Sequence, residues 1–212
     1  MAESPPQRSV KIADDERGGW SSDRPRRGNA PPRPADLSVR CRVLSPSDSL
    51  RYSPGSLLVV VSGSADELDE FVQRVVEARG AVLGLRKVRG MLEGRVPEDE
   101  IEERAVELLD AAALKRLEAG ETVVLAANGL DAEERERFVR TAARLKRPRH
   151  LILLETARDR VPEEDRAALN DLRTRLDSGA VGSEGFQTAL RLGGSSAGEL
   201  KRIVFQPPPR DD

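Results

Sequence analysis

The residues best placed to do chemistry lie in the turn after the first long apolar run. That run, Leu57–Val61 (LLVVV), leads into Ser62-Gly63-Ser64-Ala65-Asp66-Glu67-Leu68-Asp69-Glu70 and then Phe71. In open parallel sheets, ligands bind beyond the carboxyl ends of the strands, often at this first turn. A phosphate-cradling loop would need glycines for close backbone approach, a lysine for the outer phosphates and Ser/Thr for Mg²⁺. The turn has one glycine, no lysine and four carboxylates, and no GxGxxG pattern is present. Ser64 is placed to cap the following helix, with Glu67 at the capping-box position, so the helix is expected to satisfy its own end. A phosphate there would meet like charge, at about 4 kcal/mol per pair 4 Å apart for an effective dielectric of about 20. The other reading of the same acids is a carboxylate cluster that binds a cation.

Other reactive side chains are scarce. His150 and Cys41 are the whole supply of soft ligands, which excludes a zinc site within one chain and a disulfide framework. Any Ser–His–Asp or Cys–His centre would have to run through His150, and an imidazole entering an apolar strand is first a structural group. Cys41 reads as a bystander thiol. Arginines are plentiful: Arg89, Arg158, Arg160 and Arg166 are spread over connecting segments, and Arg144, Lys146, Arg147, Arg149 and His150 form a cluster before an apolar strand. Both groups are candidate anion or nucleic-acid contacts. The alternative is salt-bridged surface, since acids interleave throughout and a helix end favours cations. The scarcity of aromatics weakens any base-stacking role.

The elements that must position these residues follow from apolar spacing. Continuous β-branched or aliphatic runs at 57–61, 81–85, 122–126 and 151–154 read as strands buried on both faces. Between them, Leu68, Phe71, Val72, Val75 and Val76 predict a helix over 65–79, closed by Gly80. Residues 86–94 predict a turn or short helix, and 97–119 the longest helix, with Ile101, Ala105, Leu108, Ala112 and Leu117 as its buried face. Asp131, followed by Glu134, caps a helix over 131–145 after an Asn128-Gly129 turn. A further helix is expected from Pro162 through Leu169, Leu172 and Leu176. Residues 185–192 and 200–205 are closing strands. This βαβα alternation predicts an α/β fold: a three-layer, mostly parallel sheet of about five strands with helices on both faces, over residues 56–206.

The chain has 212 residues, 35 Lys+Arg against 37 Asp+Glu and a formal net charge of −2. Residues 1–56 carry +3 and eight of the fourteen prolines, and the remainder carries −5. With so little apolar content, residues 1–55 are expected to be a disordered Pro/Arg-rich tail, and 207–212 a short second one. Leu37–Leu44 could lie extended on the domain, Trp20 or Tyr52 could mark a docking element, and Arg26-Arg27 could touch nucleic acid. No apolar stretch approaches the ~20 residues of a membrane span, and no secretory signal is visible, so a cytoplasmic protein is expected.

From Leu57 to Phe205 the layout resembles the P-loop kinases of the bacterial polynucleotide-kinase and zeta-toxin type. Val82–Gly94 (VLGLRKVRGMLEG) is similar to the segment after that family's second strand. Lys115–Val124 (KRLEAGETVV) is similar to the phrase entering the third, and Leu125-Ala126-Ala127-Asn128 stands where the family has "DATN". Ala157–Glu164 (ARDRVPEE) resembles its lid, and Gly182–Phe186 the entry to its last strand. The resemblance implies ATP and Mg²⁺ as cofactors, but the residues depart from it. Ser62 and Glu67 stand at the loop glycines, Leu68 at the phosphate lysine, and Asp69 or Glu70 at the Mg²⁺ hydroxyl. Arg86 replaces the reactive carboxylate, and Leu125 and Ala127 replace polar residues. Phosphate clamp, metal ligand and base are then all missing. A pseudoenzyme follows: a non-catalytic kinase-like protein with no cofactor or metal, acting through a protein partner. The alternatives are a divergent ATP-dependent kinase acting on a nucleic-acid 5′-hydroxyl or a small phosphoacceptor, and a nucleic-acid-binding accessory protein.

Overall fold

A computed structural model of the chain describes residues 36–126 and 130–207. The tail expected over 1–35, with Trp20 and Arg26-Arg27, the Asn128-Gly129 turn and Ala127, and residues 208–212 lie outside the described residues. The strands are β1 (Arg42–Val43), β2 (Ser49–Tyr52), β3 (Leu57–Ser62), β4 (Val82–Gly84), β5 (Val123–Ala126), β6 (Arg149–Leu154), β7 (Thr188–Leu192) and β8 (Arg202–Phe205). The helices are α1 (Ala65–Val75), α2 (Leu85–Leu92), α3 (Ile101–Glu118), α4 (Ala132–Arg144), α5 (Arg166–Asp177) and the short α6 (Ser195–Glu199).

Six strands form one wholly parallel sheet in the order β1-β7-β6-β3-β5-β4. The three central strands explain their own sequences, because every residue of β3, β5 and β6 is buried. Side chains alternate between the two faces. Leu57, Val59 and Val61 pack with α2, α3, α4 and α5 in one core. Leu58 and Val60 pack on the other face with α1, β2 and β8. Each such aliphatic side chain contributes about 1.5–3 kcal/mol by leaving water.

Residues 36–55, expected as tail, belong to the fold. β1 adds a sixth strand beside β7, with backbone bonds from Val39 N–H to Gly182 and from Leu44 N–H to Ala189. Gly182 permits this, since a Cβ there would lie 2.3 Å from the Val39 carbonyl oxygen. β2 pairs in parallel with β8 in a separate two-stranded sheet, so 202–205 does not extend the main sheet as a closing strand. Tyr52 is 5% exposed and buried in the second core, a packing residue.

Three helix expectations are corrected. α1 ends at Val75, because Val76 turns extended and bridges Ile203. The buried face of α3 is Ala105, Leu109, Ala113 and Leu117; Leu108 is 48% exposed. α5 starts at Arg166, with Pro162 in the preceding turn. No helix among the described residues is long and apolar enough to cross a membrane.

Candidate functional site

β3 and β6 lie side by side, and their chains leave the sheet in opposite directions. β3 leads through α1 to β4 on one side, and β6 leads through α5 to β7 on the other. Neighbouring strands with diverging exits open a crevice beyond their carboxyl ends. Here the crevice is closed. The buried hydroxyls of Ser62 and Thr156 share a hydrogen bond of 2.7 Å across it. Val161, 3% exposed, lies on the turn itself: a Cβ on Gly63 would be 2.9 Å from Val161 Cγ2 and 3.6 Å from Leu169 Cδ2. The turn holds only Gly63 and Ser64 between strand and helix.

The α1 end is satisfied from within. Ser64 caps it, its hydroxyl accepting from Glu67 N–H at 3.4 Å, while Ser64 N–H donates to the Ser62 hydroxyl at 3.3 Å. Glu67 does not return the capping-box bond; its carboxylate takes Arg160 Nη1 at 2.5 Å. Arg86 pairs with Asp66 and approaches Asp69 at 3.8 Å. Leu68, 3% exposed, lies in the core beneath α1. Asp66, Glu67 and Asp69 thus have arginine partners, and no cluster of metal-ligating side chains occurs among the described residues. Val161 packs against Gly63 in this turn.

The four arginines marked as anion contacts do not act together. Arg89 is bound by Glu102 through two hydrogen bonds of 2.5 Å, away from the crevice on α2. Arg160 is held by Glu67. Arg158 and Arg166 do come together, lining a cavity of about 300 Å³ with Val161, Leu169, Asn170 and Arg173. Burial pushes the Glu155 carboxyl up, but hydrogen bonds from Arg173 and Arg191 outweigh it and hold the group below the usual carboxylate range.

In the second basic cluster, Arg147 donates to the Leu117 carbonyl at 3.0 Å and Arg149 to the Gly185 carbonyl at 2.7 Å. Both side chains serve the fold, leaving Arg144 and Lys146 exposed. His150 stacks on Tyr52 with ring centroids 4.4 Å apart, and its Nδ1 lies 2.8 Å from the Thr188 hydroxyl. Burial, with the Arg149 charge beside it, pushes its pKa down to about 4, so the imidazole is neutral at pH 7. Burial pushes the Cys41 thiol up, away from thiolate chemistry. Leu125 is buried in β5.

Sequence reasoning missed Val161, Thr156, Asn170 and Arg173. The last two had a legible signal: Arg166, Leu169, Asn170 and Arg173 follow i, i+3, i+4, i+7 spacing, one stripe of a helix.

No family model matches the chain, and no curated protein matches it. Among solved structures, one described as a "putative kinase" from Chloroflexus aurantiacus is similar, with a TM-score of 0.41 and 14% identity. The similarity covers 67% of this chain and 86% of that one, and at these values it carries no argument about this chain.

Proposed function

We propose that this chain is a kinase-like α/β domain that does not transfer phosphoryl groups and works as an interaction or regulatory component with a protein partner. The observation that carries the proposal is the contact of Val161 with Gly63, which packs a side chain against the turn to which this reading assigns a lost phosphate loop. Three further features support it. The acids of the first α1 turn are paired with Arg86 and Arg160. The residue at the phosphate-lysine position, Leu68, is in the core. Arg86, at the position of an acceptor-activating carboxylate, is a cation that cannot take a proton from a hydroxyl. No cofactor and no resident metal belong to this function.

The test is direct. Full-length protein is titrated with Mg·ATP while thermal unfolding and ATP turnover are followed. The expected result is no shift of the unfolding temperature and no turnover. Turnover above background that is abolished in Asp69→Ala would overturn the proposal and restore the divergent kinase.

A further inference from the structure

The cavity over α5 has a lining of one chemical kind. Arg166, Leu169, Asn170 and Arg173 form one face of that helix, and Arg158 and Val161 close it from the turn before. Every polar side chain in this lining carries donors, and no carboxylate is among them. Arg173 is bound by Glu155, which also binds Arg191 at 2.5 Å, and Arg191 has a second carboxylate in Asp177 at 2.8 Å. Arg173 Nη1 occupies the Asn170 Oδ1 atom at 2.9 Å, which leaves the Asn170 amide nitrogen as a free donor.

Arg158 and Arg166 differ from the arginines around them. Arg160, Arg173, Arg175 and Arg191 all have carboxylate partners. Arg158 and Arg166 have none among the described residues, and the Arg166 Nε is buried without a hydrogen-bond partner. A buried donor on a charged group left without an acceptor is costly, so it marks a place where an acceptor is missing. Two guanidinium groups without a carboxylate and an amide donor converge on one space beside the paired Arg173.

The geometry points to a binding site for a small phosphate monoester of the sugar-phosphate class, taken up without a divalent cation. Planar guanidinium forks match phosphate oxygens two at a time, and a monoester offers three oxygens to two forks where a carboxylate offers two. A volume of about 300 Å³ is at the lower end for ligand cavities, enough for a phosphate and a small organic group. No aromatic ring lines the space, so nothing stacks on a nucleobase, while Asn170 can hydrogen-bond hydroxyls. Val161 joins this site to the crevice: one side of its side chain covers Gly63, and it also lines the cavity. Occupancy would therefore brace the segment that fills the crevice. The site does not depend on whether the chain transfers phosphoryl groups.

Isothermal titration calorimetry tests this with the full chain in EDTA, without ATP, using ribose 5-phosphate, inorganic phosphate and AMP as probes. Ribose 5-phosphate is expected to bind at one site with sub-millimolar affinity, more tightly than inorganic phosphate or AMP. Arg158→Gln and Arg166→Gln should each weaken it by about tenfold or more, the loss of one charge-assisted contact. Arg160→Gln, whose guanidinium is turned to Glu67, should leave it unchanged. Arg158 is exposed, so its variant carries the test even if Arg166→Gln melts early. The proposal is overturned by an absence of saturable binding, by affinity retained in Arg158→Gln, or by an equal loss in Arg160→Gln. Equal affinity for inorganic phosphate would overturn the sugar-phosphate assignment.

Discussion

Val161 Cγ2 stands 2.9 Å from the point where a side chain on Gly63 would begin. Gly63 is therefore a glycine for space, and its neighbour in that space comes from the turn that precedes α5. Gly63→Ala should destabilise the protein by about 1–3 kcal/mol through overpacking. Val161→Ala in the same chain should recover part of that loss, because the two sites share one volume. Urea unfolding of the two single variants and the double variant measures this, and additive losses would contradict the contact.

Arg135 and Glu184 form a second decisive pair, 1% and 5% exposed, joined by two hydrogen bonds of 2.8 Å. Arg135 also donates to the Leu130 carbonyl at 2.8 Å, and Arg175 reaches the same carboxylate at 3.0 Å. Glu184→Ala should cost about 3–5 kcal/mol, because it removes one partner of a buried ion pair. Replacing both residues by apolar ones, Arg135→Met with Glu184→Leu, should cost less than the single change. Equilibrium unfolding decides it, and a double variant weaker than Glu184→Ala would refute the account.

His150 gives stability a defined pH dependence. Its folded pKa of about 4 lies below the ordinary 6.5, so between these values the unfolded chain binds a proton that the folded chain refuses. Stability is then complete above about pH 6.5 and falls as the pH drops toward 4, by about 3 kcal/mol in total. Unfolding free energies measured from pH 7 to pH 4 should show a shallower decline in His150→Gln than in the wild type. As the single histidine, its ring resonances also allow direct titration by NMR. A midpoint near 6.5 in the folded protein would refute the prediction.

Gly182→Ala should release the segment that holds β1. The new Cβ would lie 2.3 Å from the Val39 carbonyl oxygen, a backbone atom that can move only with its strand. Hydrogen exchange should accelerate at the amides of Val39, Arg42 and Leu44, which now donate to residues 182, 187 and 189. The amides of β3 should keep their protection. Unchanged exchange at Val39 would show that the packing tolerates the methyl group.

The sequence was most legible where one physical demand acted alone. β3, β5 and β6 are buried on both faces, and only an unbroken aliphatic run meets that demand. Ser64 and Asp131 were legible as caps because they bond to nearby N–H groups, at 3.4 Å and 3.1 Å. β1 was legible as the extended Leu37–Leu44 stretch, whereas β2 was not, since a four-residue strand in a Ser- and Pro-rich segment leaves no pattern distinct from a tail. On α3, Leu108 and Leu109 are both apolar, and only the packed neighbours decide which faces inward. The crevice was half legible: its acids were visible, but their arginine partners and the plug at Val161 come from sequence-distant segments. Spacing within one element cannot report a contact made 93 residues away, such as Arg160 with Glu67.

The pairing of β2 with β8 sets an order of events for folding. Ser49 and Arg202 are 153 residues apart in sequence, yet stand opposite each other in register, and β1 likewise waits for β7. Pairings between such distant segments form late, because the chain between them must already be closed into a loop. On the ribosome, residues 42–52 would therefore have open strand edges until 188–205 had been made. Their arginines and serines would then act as gatekeepers, keeping an unfinished chain from pairing with its neighbours.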